Sequence, residues 1–193
     1  MAGRVVLVRH GETRWSLDGR HTGRTDVALT EEGRRQAAAT APRVAGHSWA
    51  LVLTSPLGRA RDTCRLAGLG AVAVADPDLL EWDYGAYEGL TTAEIRARDP
   101  GWSLWADGCP GGERPPAVAA RADRVVARCL DVDGDVAVFA HGHLLRVLGA
   151  RWVGAEPAFG AHLLLSTASI SELGWERSTP VLAGWNDTAH LAP

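Results

Sequence analysis

The chain has 193 residues, 46% of them hydrophobic, and a formal net charge of -3, which suits one globular domain with a sizeable core. The slight acidity argues against a nucleic-acid or anionic-membrane surface. All 20 basic residues are arginine, so chemistry that needs a lysine, as a Schiff base or in a phosphate-binding P-loop, is excluded.

Val5, Val6, Leu7 and Val8 form a short continuous apolar run. It reads as a strand buried in a parallel sheet. It ends in Arg9 and His10, and Gly11 is expected to let the backbone turn sharply there. Residues 13–24 are polar and glycine-punctuated, hence loop. Thr30 is a good N-cap, Glu31 and Glu32 complement a helix N-terminus, and the helix is predicted to run to about Val44. Residues 51–53 read as a second strand and 59–66 as a helix that ends near Gly68. A short third strand is predicted over 71–74, an irregular aromatic segment over 79–85 and a short helix over 92–98, stopped before Pro100. Residues 102–116 are rich in Gly and Pro and read as loop. A helix follows over 117–130, then a buried strand over 135–140 that ends in His141, Gly142 and His143. Residues 144–153 are helical again. Strands are predicted over 163–165 and 168–170, the second continuing to 173–175, with a weaker one over 181–185.

Strands alternating with helices predict a three-layer α/β/α domain with a mostly parallel central sheet. The last strands have no helix between them, so at least one edge pair is expected to be antiparallel. Cys64, Cys109 and Cys129 are widely spaced and form no C-x-x-C pair. They fit reduced thiols in a cytoplasm rather than disulfides or a zinc site. The chain enters a strand soon after Met1 and has no apolar run long enough to span a bilayer, so neither signal peptide nor membrane anchor is expected.

Ligands of open α/β sheets bind beyond the carboxyl ends of the strands. Two strands end alike here, one at Arg9-His10-Gly11 and the other at His141-Gly142. Arg59 lies just past the second strand, and Glu81 follows the third. Four strand-to-helix junctions thus deliver one ionisable group each to the same rim. A cation beside an imidazole suggests an anionic substrate such as a phosphate.

Arg9-His10-Gly11-Glu12-Thr13, with Trp15, resembles the signature of the histidine phosphatase superfamily, the phosphoglycerate mutase-like proteins. The resemblance continues in Thr22-Gly23, in Asp26 to Gly33, in Ser55-Pro56-Leu57-Gly58-Arg59-Ala60 with Thr63, in Glu81 with Gly85, Glu88 and Gly89, and in Ala140-His141-Gly142. These blocks stand in family order from residue 5 to about residue 170. The resemblance implies the phosphoglycerate mutase-like fold as one domain over 1–193, and a phosphohistidine intermediate.

The residue types suit that chemistry. His10, as nucleophile, must be neutral, with one ring nitrogen held by a backbone acceptor and the other free to attack phosphorus. Arg9 and Arg59 offer planar donor forks for phosphoryl oxygens, and His141 adds a donor. Glu81 is the proton donor to the leaving oxygen and then the base that activates water. Its place beside Trp82 and Tyr84 is expected to withdraw it from bulk water. Many relatives carry Asn where this chain has Ser16, whose shorter hydroxyl can still donate. Thr22 and the Gly23 amide are read as secondary contacts, and His21, Gly142 and His143 as substrate-binding.

The spacing His141-x-His143 resembles a metal-ligand pair, but Arg9 and Arg59 would crowd a cation and no third ligand is evident, so no metal and no cofactor are expected. Trp102 and Trp105, in the Gly/Pro-rich segment, are candidates for a pocket wall or lid. Glu113 reads as a solvated loop carboxylate, and the arginines at 96, 98, 114, 121, 124 and 128 read as solvated faces. Within the family the blocks around Arg20, Glu81 and Gly108 are most similar to small acid phosphatases and sedoheptulose-bisphosphatase-like enzymes. The expected partner is therefore a small phosphorylated metabolite such as a sugar phosphate, with no nucleic acid or membrane. The alternatives are a phosphoglycerate mutase-type phosphoryl transfer and a non-catalytic phospholigand-binding module.

Overall fold

The computed structural model describes residues 2–192. Among them, six strands form one mixed sheet: β1 (Ala2–Arg9), β2 (Trp49–Thr54), β3 (Val74–Ala75), β4 (Gly134–Ala140), β5 (Ile170–Glu176) and β6 (Thr179–Asp187). In space they run β3-β2-β4-β1-β5-β6. The first four are parallel, while β5 is antiparallel to both β1 and β6. The expected antiparallel edge is therefore present, and it includes both junctions of β5.

Successive side chains of a strand point to opposite faces, and this divides the core in two. Val5, Leu7, Leu53, Val136 and Val138 pack on one side with α7 (Pro115–Leu130) and α8 (Gly142–Trp152). Val6, Val8, Val52, Ala137 and Phe139 pack on the other, against Cys64 of α4 (Gly58–Leu66) and Val44 of α3 (Ala41–Val44). Val5 to Val8 are all buried, which is why that stretch reads as an unbroken apolar run and not as an alternating one.

The remaining helices are short: α1 (Arg14–Leu17), α2 (Glu31–Ala39), α5 (Thr92–Arg96) and α6 (Leu104–Asp107). Several departures from expectation have local causes. α1 interrupts the expected loop because Thr13 and Ser16 form a capping box. The single helix predicted after Thr30 is two, parted at Thr40, with Pro42 in the first turn of α3. β3 begins at Val74 rather than Ala71. Residues 163–165 are not a strand, because their backbone is used elsewhere. The Leu165 carbonyl accepts from Arg9, the Leu164 carbonyl accepts from Trp185, and Ala168 turns the chain with φ 52° before β5 starts at Ile170.

Gly11 also differs from expectation. It is not among the glycines of positive φ, so it supplies no sharp turn. A Cβ there would overlap the carbonyl oxygen of Gly33, and a Cβ on Gly33 would overlap that of Glu12. The two glycines let the loop after β1 touch the first turn of α2, and this close approach is what glycine permits.

Candidate active site

The register of the sheet assembles the site. Arg9 pairs with Ala140 across β1 and β4, and the His10 amide donates to the Ala140 carbonyl at 3.0 Å. His10 and His141 therefore leave adjacent strands side by side, with ring centroids 5.2 Å apart. The Ser55 amide donates to the Phe139 carbonyl at 2.9 Å, so the end of β2 joins the same rim.

A cavity of about 240 Å³ opens there. Of the expected catalytic groups, Arg9, His10 and Glu81 line it. Of the expected substrate contacts, Ser16, His21, Thr22, Gly142 and His143 line it. Arg59 and His141 expose no surface and stand behind the wall. Gly23 is turned away, with its amide donating to Glu88 at 2.9 Å.

His10 is 4% exposed, and its Nδ1 lies 2.7 Å from the Gly11 carbonyl. That carbonyl can only accept, so Nδ1 carries the proton and donates. Nε2 is left unprotonated and has no hydrogen-bond partner among the described residues. Burial first, then the charges of Arg59 and Arg9, hold the imidazole well below its ordinary pKa against the pull of the Gly11 bond. The ring is therefore neutral at pH 7, as a nitrogen nucleophile must be.

Arg9 donates through one terminal nitrogen to the Leu165 carbonyl, while its buried Nε has no partner. A buried donor left unpaired costs about 1–3 kcal/mol, so this atom is ready for an acceptor. A Cβ on Gly142 would come within 3.3 Å of it.

Arg59 is used differently from expectation. Its Nε donates to His141 Nδ1 at 3.1 Å, and its terminal nitrogens donate to the carbonyls of Thr22, Gly23 and Thr25 at 2.8–3.0 Å. The fork is largely committed to the 22–25 loop, and its charge acts on His10 from behind. His141 Nδ1 accepts from Arg59, so its proton is on Nε2, which lies 2.7 Å from Ser55 Oγ. The His141 donor is thus held by Ser55, and both ring nitrogens are engaged. Among the described residues no three His, Cys, Asp or Glu side chains group in a way that could hold a metal ion. Ser16 is also occupied: its hydroxyl donates to the Thr13 carbonyl and accepts from the Thr13 amide, both at 2.9 Å. It lines the cavity with its proton already placed.

The Glu81 carboxylate is 4% exposed and sits over the N-terminus of α8. Oε1 accepts from the Trp82 and Leu144 amides, at 2.8 and 2.9 Å, and Oε2 accepts from the His143 amide at 2.9 Å. Both lone-pair directions of Oε1 are taken. Oε2 keeps one, so Oε2 is the oxygen with room to carry and exchange a proton.

Arg121 and Glu113 are the residues that sequence reasoning misplaced, since both were expected in solvent. Arg121 is 9% exposed, and its fork donates to both Glu113 oxygens at 2.8 Å and to the carbonyls of Asp78, Leu80 and Glu81. Glu113 in turn accepts from the Asp83 amide at 2.9 Å. The pair grips the backbone on both sides of Glu81. The signal was present, because Arg121 shares the buried face of α7 with Val118, Ala122 and Val125. Trp102 and Trp105 stand behind the cavity wall and form no lid: Trp102 packs edge-on to His21, and Trp105 against Trp82 and His143.

Arg121→Lys tests the grip. Lysine keeps a cation opposite Glu113 but loses the planar fork. For esters with poor leaving groups kcat/KM should fall roughly tenfold, part of the 10²–10⁴ that general acid catalysis supplies. Nitrophenyl phosphate should lose much less. Equal losses on both would show that Arg121 supports the fold and not the position of Glu81.

Residues 5–188 match the family model for the histidine phosphatase superfamily (branch 1). A protein named acid phosphatase from Mycobacterium tuberculosis (strain ATCC 25618 / H37Rv) is 44% identical, over 98% of this chain and 95% of that one. Sedoheptulose 1,7-bisphosphatase of Saccharomyces cerevisiae (strain ATCC 204508 / S288c) is 36% identical, over 78% of this chain and 68% of its own. The solved structure of a mycobacterial glucosyl-3-phosphoglycerate phosphatase in complex with VO3 superposes with a TM-score of 0.84 and is 33% identical. That match covers 97% of this chain and all of the other.

Proposed function

This chain belongs to the histidine phosphatase superfamily, branch 1, and is a phosphatase, and from that premise we propose a two-step hydrolysis of small phosphomonoesters through a phosphohistidine on His10. The observation that carries the proposal is the pairing at the end of β1. His10 holds a neutral Nε2 without a partner, next to an arginine whose buried Nε also lacks one. Together they offer a nucleophile and a waiting donor for a phosphoryl oxygen.

In the first step His10 Nε2 attacks phosphorus. The N–P bond forms as the P–O ester bond breaks, and Glu81 Oε2 gives its proton to the leaving oxygen. Arg9 meets the charge spread over the transferring oxygens, with the Arg59 charge behind it. In the second step Glu81 takes a proton from water, the water oxygen attacks phosphorus and the N–P bond breaks. Inorganic phosphate leaves, and His10 is neutral again. Two guanidinium groups supply the positive charge, so the proposal calls for neither metal nor cofactor. Ser16, Thr22 and Gly142 shape the wall, and His21 and His143 flank the alcohol being released.

The cavity, at about 240 Å³, falls below the roughly 300–1,000 Å³ of sites for drug-sized ligands and suits a small metabolite. Among the described residues no helix is long and apolar enough to cross a membrane. The three cysteines are free and buried, which supports placement in the reducing cytoplasm.

Acid-quenching wild type during turnover of a radiolabelled ester tests the intermediate. The protein should carry a label that is acid-labile and base-stable, as a phosphoramidate is, and His10→Ala protein should carry none. A base-labile, acid-stable label would place the phosphoryl group on another residue.

A further inference from the structure

Past Glu81 the cavity reaches Arg146 of α8. This arginine is half-buried, and its direction is fixed three ways. Nε donates to the Gly160 carbonyl at 2.8 Å, one terminal nitrogen donates to the Ala161 carbonyl at 3.1 Å, and Cζ lies 4.6 Å from the centroid of the Trp105 ring. The other terminal nitrogen bonds to none of the described residues, and no carboxylate among them pairs with this guanidinium.

The charges along the wall do not balance. Arg9, Arg20 and Arg146 face one carboxylate, Glu81. Arg20 is bonded to the Gly89 carbonyl and to Glu94, and Arg9 is placed for the phosphoryl group. Arg146 is the cation left over. Holding a partly dehydrated guanidinium without an anion is costly, and a bound anion would remove that cost. His143 stands beside it as a second donor. Tyr84 is 1% exposed, and its hydroxyl bonds only to His143 Nδ1, at 2.6 Å. A buried O–H donates where it can, so Nδ1 accepts and the ring proton of His143 is on Nε2.

We propose that Arg146 binds a second anionic group on the alcohol that is released, so that the preferred substrate is a phosphomonoester carrying a further carboxylate or phosphate. The proposal rests on the phosphatase reading above and adds the class of alcohol. Carboxylate and phosphate share the chemistry that a guanidinium fork recognises.

Two matched substrate pairs separate the possibilities: 3-phosphoglycerate against glycerol 3-phosphate for a carboxylate, and fructose 1,6-bisphosphate against fructose 6-phosphate for a second phosphate. In wild type, the doubly anionic member of at least one pair should lead by about 30-fold in kcat/KM, the factor that one charge-assisted hydrogen-bonded contact supplies. Arg146→Gln should bring that ratio close to one, mainly through KM, since the contact holds ground state and transition state alike. Arg146→Lys should keep part of the preference. Release of phosphate from all four esters without preference in wild type overturns the subsite and leaves the phosphatase reading standing. So does an unchanged ratio in Arg146→Gln. No phosphate from any ester overturns the phosphatase reading and the subsite with it.

Discussion

Replacing His10 by alanine should lower kcat by roughly 10⁴-fold or more, the scale on which loss of a catalytic nucleophile is felt. The side chain bonds only to the adjacent Gly11 carbonyl and touches the His141 ring, while β1 is held by its neighbours β4 and β5. The variant should therefore fold, with an unfolding transition close to that of wild type. The same geometry sets the acid limb of the pH profile. The folded-state pKa of His10 is depressed by burial and by Arg59 and Arg9, so the ring stays neutral, and nucleophilic, well below the range in which an ordinary histidine gains a proton. The rate should not fall through the imidazole range around pH 6 on account of His10. Turnover by His10→Ala comparable with wild type would remove this residue from the chemistry.

Glu81→Gln has the second-largest expected effect, and it depends on the leaving group. An amide can neither give nor take the proton that Oε2 handles, and its NH2 group would face the donating amide of His143. For an alkyl phosphate, whose oxygen must be protonated as it leaves, kcat/KM should fall by about 10²–10⁴. For nitrophenyl phosphate, whose oxygen leaves as a stable anion, kcat/KM should fall by about tenfold at most. The second step needs Glu81 as base whichever ester was cleaved, so kcat for both esters should converge on slow dephosphorylation and the phosphoenzyme should accumulate. Equal losses in kcat/KM on the two esters would leave Glu81 a structural role only.

What the sequence disclosed well was local. Val5 to Val8 and Val136 to Ala140 are buried on both faces, and polar residues follow each run directly, so the strands and the rim were legible together. The helix of α7 was legible from its apolar spacing. What escaped depends on partners far along the chain. The Arg59 fork was expected on phosphate, but three carbonyls between Thr22 and Thr25 claim it, and no spacing rule shows a loop folding back over 34–37 residues. Arg121 looked like a solvated arginine because its acceptors lie 40–43 residues away at Asp78, Leu80 and Glu81, although its place on the buried face was readable. Ser16 stands where relatives carry a donating Asn, while its spacing from Thr13 is that of the capping box it forms. Residues 163–165 have the composition of a strand, and the site and β6 take up their carbonyls instead. Ser16 apart, each miss is a backbone acceptor far along the chain that sequence patterns do not display.

Hydrolysis and transfer of the phosphoryl group back to an alcohol begin with the same phosphohistidine, and what reaches that phosphoenzyme next separates them. The chain between Glu81 and His141 is short and holds α5, α6 and α7. The arginines there include Arg121 and Arg124, which are bonded to Glu113 and Asp78. None of the arginines of this interval lines the cavity, so it adds no cation to Arg146 of α8 and no chain that would enclose a reorienting bisphosphate. The deciding measurement incubates the enzyme with 3-phosphoglycerate and a trace of 2,3-bisphosphoglycerate, following inorganic phosphate and 2-phosphoglycerate together. Phosphate release that needs no bisphosphorylated primer is the expected result. Rapid formation of 2-phosphoglycerate, outpacing phosphate release from every ester tested, would contradict it.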